Sequence, residues 1–339
     1  MKIAIHPVKG SFSDRWITYC REKKIPFKLV NCFDSDIVEQ LNDCDVLMWH
    51  YHHTKFEDVL VAKKILFAIE HAGKTVYPDF HTNWHFDDKI GQKYLLEAIG
   101  APLVPTYVFY NKKEAIDWVN TTEFPKVFKL KSGAGSLNVR LVKSKNEAIR
   151  LVNKAFSKGF SQFNTWGYFK DRYNKFRHGK GSFTGLLKGF GRLFISTEYS
   201  RKQCKEKGYV YFQDFIPGNE CDYRITVYGN RAAAAKRMNR DGDFRASGSG
   251  IMHFEKELFD VRLVKMAFEL NDKIKAQSLN LDFIFDANRN PLLVEMSYGF
   301  PTRGHDENQG YWDKDLNWHE GKADIVNWIM DDLVAAFEK

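Results

Sequence analysis

The first eighty residues alternate short apolar segments with segments of helical periodicity, and this pattern constrains the fold more than any other feature. The apolar segments are residues 2–5, 27–31, 46–49 and 75–77, and helix-like segments lie between them. Such alternation is typical of a parallel sheet with crossover helices. No G-x-G-x-x-G follows the first strand, so the pattern does not indicate a dinucleotide-binding domain.

Length and composition place the chain among globular proteins. At roughly 100 to 200 residues per domain, 339 residues correspond to two or three domains. The chain is 44% hydrophobic with a net charge of +8, which excludes an intrinsically disordered or collagen-like protein. Five cysteines without a C-x-x-C pair favour structural thiols in a reducing compartment. No apolar run is long enough for a membrane span or a signal peptide, so we expect a cytoplasmic protein.

The pattern changes after residue 86. A helix over 89–99, strands over 106–110 and 126–131, and a small-residue loop over 132–136 are predicted. Strands over 222–228 and 231–237 are separated by Gly229 and Asn230, which is a strong hairpin signal. A helix over 260–278, a strand pair over 281–285 and 292–296, and a final helix from Lys322 follow.

Segment 154–192 differs in composition from the rest of the chain. It holds nine lysines and arginines, one acidic residue, seven glycines and several aromatic residues, and its net charge of +8 equals that of the whole protein. Such a segment is consistent with a lid over an anionic substrate, a contact to a polyanion or a membrane surface, or a solvated insertion.

Two carboxylates lie within apolar strands. Asp282 and Glu295 belong to the strand pair near the C-terminus. Buried acids need a charged partner or a cation, and two such oxygens from adjacent strands would suit Mg²⁺. The alternative is that both side chains point outward from a half-buried hairpin.

Basic residues occupy strands elsewhere in the chain. Lys129 precedes the small-residue loop, whose backbone N–H groups suit phosphates, and Arg224, Lys236 and Arg237 lie on the predicted hairpin. Each of them taken alone is expected to be a surface cation. Together with the two acids they form a set suited to nucleotide phosphate chemistry.

The order and spacing of these motifs from residue 87 to 297 resemble the ATP-grasp superfamily. The closest resemblance is to carboxylate–amine ligases of the ribosomal-protein-glutamate-ligase-like kind, which include members of surface polysaccharide synthesis. The implied fold class is α/β (α+β ATP-grasp), with an N-terminal parallel α/β domain over 1–86. Two α+β subdomains that clasp ATP would follow, a lid subdomain over 87–212 and a catalytic subdomain over 213–339.

The resemblance assigns roles residue by residue. Arg224, Lys236 and Arg237 resemble the residues that meet the phosphates and the activated carboxylate. The residues matching the ATP site are Lys89, Lys129, Gly133, Gly135, Ser136, Gln213, Asp214, Phe215, Ile216 and Glu220. Asp282 and Glu295 match the metal ligands, and Ser297 stands where many members have asparagine. Asn280 stands where some amino-acid ligases place a substrate-binding arginine, so the acceptor is not implied.

Three further residues are substrate-contact candidates. Arg303 and His305 lie in the loop after the metal-like strand, and His6 follows the first strand, where crevices form in such folds. His50, with His52 and His53, ends the third strand, and these histidines are expected to line a substrate-facing loop or the surface rather than to bind a metal.

The resemblance implies an enzyme that uses ATP and Mg²⁺, with Mn²⁺ as the alternative ion. Its carboxylate substrate would be activated as an acyl phosphate and captured by an amine, in surface polysaccharide or amino-acid conjugate synthesis. A kinase and a nonenzymatic, nucleotide-regulated polyanion-binding protein are the alternatives. The expected partners are small molecules, including sugar-linked ones. The sequence favours neither nucleic acid nor a membrane span, and it leaves a homodimer open.

Overall fold

A computed structural model describes residues 1–133, 138–161, 204–300 and 306–338, with the single positions Tyr173, Phe176 and Thr184. The chain forms two compact units. The outer unit comprises Met1–Phe86, Tyr94–Leu103 and Pro217–Lys339, and the central unit comprises Asp87–Lys93 and Val104–Ile216. The three-domain division stays a prediction. Within the described ranges, no helix combines the length and the apolar character needed to cross a bilayer.

The outer unit begins with the predicted parallel sheet, which is confirmed. The strands are β1 (Ile3–Ile5), β2 (Phe27–Leu29), β3 (Val46–Met48) and β4 (Thr75–Tyr77). The helices are α1 (Phe12–Glu22), α2 (Ile37–Gln40), α3 (Phe56–His71) and α4 (Phe80–Asn83). The strand order is β2-β1-β3-β4, and every pairing is parallel. All residues of β1 and β3 are buried, so both faces of these strands are covered.

The central unit contains a four-stranded antiparallel sheet in the order β5-β8-β6-β7. Its strands are β5 (Thr106–Phe109), β6 (Lys126–Lys129), β7 (Val139–Val142) and β8 (Val210–Asp214). The helices are α5 (Lys89–Ala98), which begins in this unit, α6 (Lys112–Thr121) and α7 (Lys145–Ala155). Phe128 and Phe212 share a core with buried residues of α6 and α7. Because side chains alternate along a strand, Lys129 and Gln213 lie on the opposite face.

The C-terminal part of the outer unit is a seven-stranded antiparallel sheet. Its strands are β9 (Cys221–Tyr228), β10 (Arg231–Met238), β11 (Met252–His253), β12 (Ser278–Phe285), β13 (Pro291–Ser297), β14 (Gly310–Asp313) and β15 (Trp318–Glu320). The order is β13-β12-β9-β10-β14-β15, with β11 paired to β10. The predicted hairpin is confirmed, since Arg231 pairs with Tyr228 across Gly229 and Asn230.

Two helices belong to this part of the outer unit, α8 (Val261–Ile274) and α9 (Ile325–Phe337). The sequence predicts that the first of them continues to Ser278, and this boundary is wrong. Lys275 takes a left-handed conformation with φ of 61° and ends the helix. Ser278 is therefore the first residue of β12, where it pairs with Tyr228 of β9.

The two faces of β12 differ in chemistry. Leu279, Leu281 and Phe283 are fully buried in an apolar cluster with residues of α8. Asn280 and Asp282 lie on the other face, because successive side chains of a strand point in opposite directions. Packing against α8 thus fixes which polar residues of β12 share a surface.

The N-terminal sheet is bonded to the start of β12. The Tyr77 hydroxyl and the Ser278 hydroxyl are 2.8 Å apart. The Gln277 side-chain amide donates to the Val76 carbonyl at 2.9 Å, and the Gln277 backbone N–H donates to the Thr82 hydroxyl at 2.7 Å. These bonds hold β12 in place next to β4.

Leu281→Ala should destabilise the protein, because it leaves a cavity directly behind the polar face of β12. A buried leucine truncated to alanine typically costs about 2 to 5 kcal/mol of unfolding free energy. The matched control is Leu29→Ala, since Leu29 is 51% exposed and surface changes stay within about 0.5 kcal/mol. Urea denaturation of both variants measures the difference, and equal stabilities would contradict the described packing.

Candidate active site

A buried network of ion pairs lies on the polar face of the seven-stranded sheet. Arg224 donates from Nε and Nη2 to the two carboxylate oxygens of Asp282, at 2.8 and 2.9 Å. Arg237 donates in the same bidentate manner to Asp222, with both distances 2.6 Å. Nη2 of Arg237 also donates to Asp282 at 2.7 Å. Asp282 therefore accepts hydrogen bonds from two guanidinium groups.

Strand pairing builds this network. Asp282 on β12 is in register with Arg224 on β9, and Asp222 on β9 is in register with Arg237 on β10. On its other side Asp282 is in register with Glu295 on β13. Asp282 is 3% exposed, so the alternative of an outward-pointing side chain is excluded for this residue.

The network displaces the pKa values of its members. Burial acts to raise the pKa of Asp282, but the attraction of Arg224 and Arg237 is larger in sum and lowers it well below its usual range. For Asp222, burial outweighs the attraction of Arg237 and raises the pKa to about 6. Burial also acts to lower the pKa of Arg237, yet Asp282 and Asp222 hold it above its usual value. Of the two acids, Asp282 is therefore the one that stays ionised to lower pH.

Asp282 and Glu295 are the two carboxylates that suit a metal ion. Mg²⁺ is commonly held by one or two carboxylates together with water and substrate phosphates, so the pair fits this ion. Ser297 uses its hydroxyl locally, donating to the Gly299 carbonyl at 3.0 Å and accepting from the Gly299 N–H at 3.2 Å. In the described ranges, no three His, Cys, Asp or Glu side chains are grouped as a metal site.

Lys236 does not share the face of Arg224 and Arg237. It neighbours Arg237 in β10 and therefore points to the opposite side of the sheet. Its register partner is Tyr223, and its ammonium lies 6.0 Å from the Tyr223 ring centroid. The structure thus brings together two of the three residues predicted to be catalytic.

The central unit holds the lysines matched to the ATP site. Lys129 is 4% exposed and lies on the face of the sheet that also carries Gln213. Gln213 donates to the Thr106 hydroxyl at 3.1 Å. Lys89 begins α5, and its ammonium donates to the Gly133 carbonyl at 2.8 Å. Two buried lysines and the first residues of the small-residue loop therefore belong to the same unit.

Two carboxylates, Glu206 and Asp87, fix the start of this loop. Neither of them is predicted from the sequence. Glu206 accepts from the backbone N–H groups of Lys131 at 3.0 Å and Ser132 at 3.3 Å. Asp87 accepts from the N–H of Gly133 at 2.7 Å. Asp87 lies two residues before the predicted Lys89, but nothing in the sequence around Glu206 marks that residue.

The remaining residues matched to the ATP site are distributed over both units. The Asp214 side chain lies on the helix-bearing face and accepts from the Lys126 ammonium at 2.6 Å. Phe215 and Ile216 follow β8 as half-buried residues of the central unit, whereas Glu220 is exposed in the outer unit. The Asp214 carboxylate is thus engaged by Lys126.

Several predicted residues have other placements. His6 is buried, its Nδ1 accepts from the Cys32 N–H at 3.0 Å, and its ring packs against Trp49 with centroids 4.8 Å apart. Burial lowers the pKa of His6. Gly135, Ser136, Arg303, His305 and nearly all of segment 162–192 lie outside the described residues.

Comparison with known proteins places this geometry in a known fold. Residues 193–310 match the RimK-like ATP-grasp domain family. D-alanine–D-alanine ligase from Bacillus anthracis has a similar structure, with a TM-score of 0.59, 13% identity, and coverage of 100% of this chain and 99% of that one. A RimK domain ATP-grasp protein from Sphaerobacter thermophilus is also similar, with a TM-score of 0.56 and 14% identity. The match covers 98% of this chain and 100% of that one.

The ATP-grasp ligase PsnB, solved with a minimal precursor, Mg and ADP, has a TM-score of 0.55 and 12% identity and covers 100% of this chain and 98% of its own. No curated protein matches this sequence. The chain has the ATP-grasp fold, and the predicted fold class is confirmed.

The raised pKa of Asp222 predicts a pH dependence of stability. An acid whose pKa rises on folding contributes stability below its unfolded value of 3.8, and this contribution is lost as the pH rises through about 6. The unfolding free energy should therefore carry a component that falls by up to about 1.4 kcal/mol per pH unit in this window. Urea denaturation across the window should show that component in the wild type and in the surface control Asp117→Asn, but not in Asp222→Asn. Its persistence in Asp222→Asn would contradict the assignment.

Proposed function

We propose that this protein is an ATP- and Mg²⁺-dependent carboxylate–amine ligase that releases ADP and phosphate. The observation that carries this proposal is the buried Asp282, which is paired with two guanidinium groups and in register with Glu295. Such a face combines cation ligands with fixed positive charges, as phosphoryl transfer from ATP to an anion requires. The reaction is expected in the cytoplasm, where ATP is available.

The first step would join two anions. A carboxylate oxygen of the substrate attacks the γ-phosphorus of ATP, the bond from that phosphorus to the bridging oxygen breaks, and ADP leaves with the electron pair. Arg224 and Arg237 offset the repulsion between the reacting anions. When bound, Mg²⁺ would be held by Asp282 and Glu295 and would neutralise phosphate charge. In the central unit, Lys89 and Lys129 are the cations that we assign to ATP phosphates.

The second step would form the amide. The amine nitrogen attacks the carbonyl carbon of the acyl phosphate, phosphate leaves with the bond electrons, and the amine loses a proton. Water competes with the amine for the acyl phosphate, so such a site must exclude water. The proposal includes the setting of this reaction, in which the amine is an acceptor in surface polysaccharide or amino-acid conjugate synthesis.

Proteins of the same fold support the assignment. The names of D-alanine–D-alanine ligase and PsnB describe ligases, and the PsnB complex contains Mg and ADP. These properties belong to those proteins. Because the sequence identity is low, the structural similarity shows only that this chain has the same fold. The proposal therefore depends on the charges and register of the chain's own residues.

Product analysis distinguishes this reaction from that of a kinase. The purified protein is incubated with Mg²⁺-ATP and a panel of amino acids, sugar acids and amines, and ADP and free phosphate are measured. A ligase should release both only when a carboxylate and an amine are present, and mass spectrometry should find a product lighter than their sum by one water. A phosphorylated product would indicate a kinase and contradict the ligase proposal.

Glu295→Gln should lower turnover by about 100-fold or more, since it removes a charged metal ligand at the site of developing charge. The register partner Asp282 is unchanged, so the ion pairs to Arg224 and Arg237 should persist. The matched control is Glu269→Gln on the exposed face of α8. Steady-state ADP release measures both variants, and full turnover by a folded Glu295→Gln protein would exclude the proposed metal site.

A further inference from the structure

A cleft of about 590 Å³ opens at the start of β10, within the outer unit. Its walls are the turn of Gly229 and Asn230, the hairpin of β14 and β15, and the second half of α9. Arg231 lines the cleft and precedes Arg237 of the ion-pair network by six residues, about 20 Å along a strand. The cleft has the size of a small-molecule site and is separate from the residues that we assign to the reaction.

Strand register builds the wall that the hairpin contributes. Arg231 on β10 is in register with Asp313 on β14, and Tyr311 on β14 is in register with His319 on β15. The rings of Tyr311 and His319 stack with centroids 5.1 Å apart and an interplanar angle of 18°. Tyr311 also meets the Trp328 ring of α9 edge-on at 4.9 Å. The hairpin therefore presents a pair of stacked rings and a carboxylate on the face that it turns to α9.

The opposite wall pairs a cation with a second carboxylate. Nη2 of Arg231 donates to Oδ1 of Asp332 at 2.5 Å. Gly229 has a φ of 51°, and a Cβ at this position would collide with Oδ2 of Asp332. Glycine thus lets the turn approach that carboxylate. One turn further along α9, this wall is completed by two small apolar side chains, those of Ala335 and Ala336.

Asp313 fixes the tautomer of His319. Its Oδ2 lies 2.7 Å from Nε2 of His319, and this bond lowers the pKa of Asp313 to about 2. An ionised carboxylate can only accept, so Nε2 donates and the neutral ring keeps an acceptor lone pair on Nδ1. Among the residues that the structure describes, no hydrogen-bond partner is found for Nδ1 of His319, the Tyr311 hydroxyl or the Asn230 amide. These groups are available to a ligand.

The charges of the cleft favour an uncharged ligand. A cation in this space would meet the guanidinium of Arg231, and an anion would meet the carboxylates of Asp313 and Asp332. A hydroxyl group both donates and accepts, so neighbouring hydroxyls can bond to the carboxylate of Asp332 and to the lone pair of His319. The stacked rings and the two alanines suit the C–H surface of a sugar ring.

We propose that this cleft binds a sugar. Its hydroxyl groups bond to His319, Asp332 and Asn230, and its apolar surface lies against the stacked rings. The proposal goes beyond the ligase function and does not depend on it, because no residue that lines the cleft belongs to the ion-pair network or to the residues matched to ATP. It gives the outer unit a carbohydrate-binding site of its own.

The test uses the full chain labelled with ¹⁵N in its histidines, since the Nδ1 signal of His319 reports on the cleft. Comparison with His319→Gln identifies this signal. The probes are the methyl glycosides of glucose, galactose and mannose, with ethylammonium and acetate as charged probes of both signs at equal ionic strength. At least one glycoside should shift the Nδ1 signal at a half-saturating concentration about tenfold below that of either charged probe, the difference expected of specific hydrogen bonds.

Two variants locate the response in the cleft. Ala335→Phe fills the cleft from an exposed helix position and should abolish the glycoside response. The matched control is Ala72→Phe, at an exposed position directly after α3, which should respond as the wild type does. Asn230→Ala removes one hydrogen-bonding group from an exposed turn and should raise the half-saturating concentration about threefold to tenfold.

Four results would overturn the inference. They are a His319 signal that no glycoside shifts, an equal or stronger response to ethylammonium or acetate, an unchanged response in Ala335→Phe, and a lost response in Ala72→Phe. The measurements need no ATP, so they are independent of the proposed ligase reaction. Glu295→Gln, which should lose turnover, should bind the glycoside as the wild type does, and weaker binding by this variant would contradict the separation of the two sites.

Discussion

The double pairing of Asp282 is the interaction on which the candidate site depends. A buried carboxylate is costly unless charged donors surround it. Here Arg224 and Arg237 both donate to Asp282, and Arg237 also donates to Asp222. The three strands β9, β10 and β12 must therefore keep one register, because a slip of one residue would turn every member of the network to the apolar face.

The rest of the outer unit maintains that register. α8 covers the apolar face of the sheet, and the hydrogen bond between Tyr77 and Ser278 attaches the first residue of β12 to the N-terminal sheet. In the central unit, Glu206 and Asp87 bind the backbone at the start of the small-residue loop. In each unit, buried polar contacts hold the residues that we assign to the reaction.

Much of this fold follows from local patterns in the sequence. The β/α alternation predicts the parallel sheet, and Gly229 with Asn230 predicts the hairpin, because both signals arise within a few residues. Short strands such as β7 and β14 were not predicted, since their few residues carry little periodicity and pair with segments far along the chain. The ends of α8 and β12 depend on the left-handed Lys275, which is not a typical residue at such a position.

The candidate site is predictable in composition and less so in arrangement. The acids and arginines were found from their motifs, whereas the pairing of Arg237 with both Asp222 and Asp282 requires three-dimensional register. The sequence carries one signal of this arrangement. Lys236 and Arg237 are adjacent in a strand, so only one of them can share a face with Arg224. Glu206 has no local motif, because the backbone groups that it binds, those of Lys131 and Ser132, lie far away in sequence.

The proposed function depends on Asp282 and Glu295 holding the metal ion that accompanies the nucleotide. Crystals of the full chain grown with Mn²⁺ and ADP, measured at the manganese absorption edge, locate the ion directly by anomalous scattering. We expect an anomalous peak in contact with both carboxylates. ADP bound with the manganese peak elsewhere, or with no peak at this pair of residues, would contradict it.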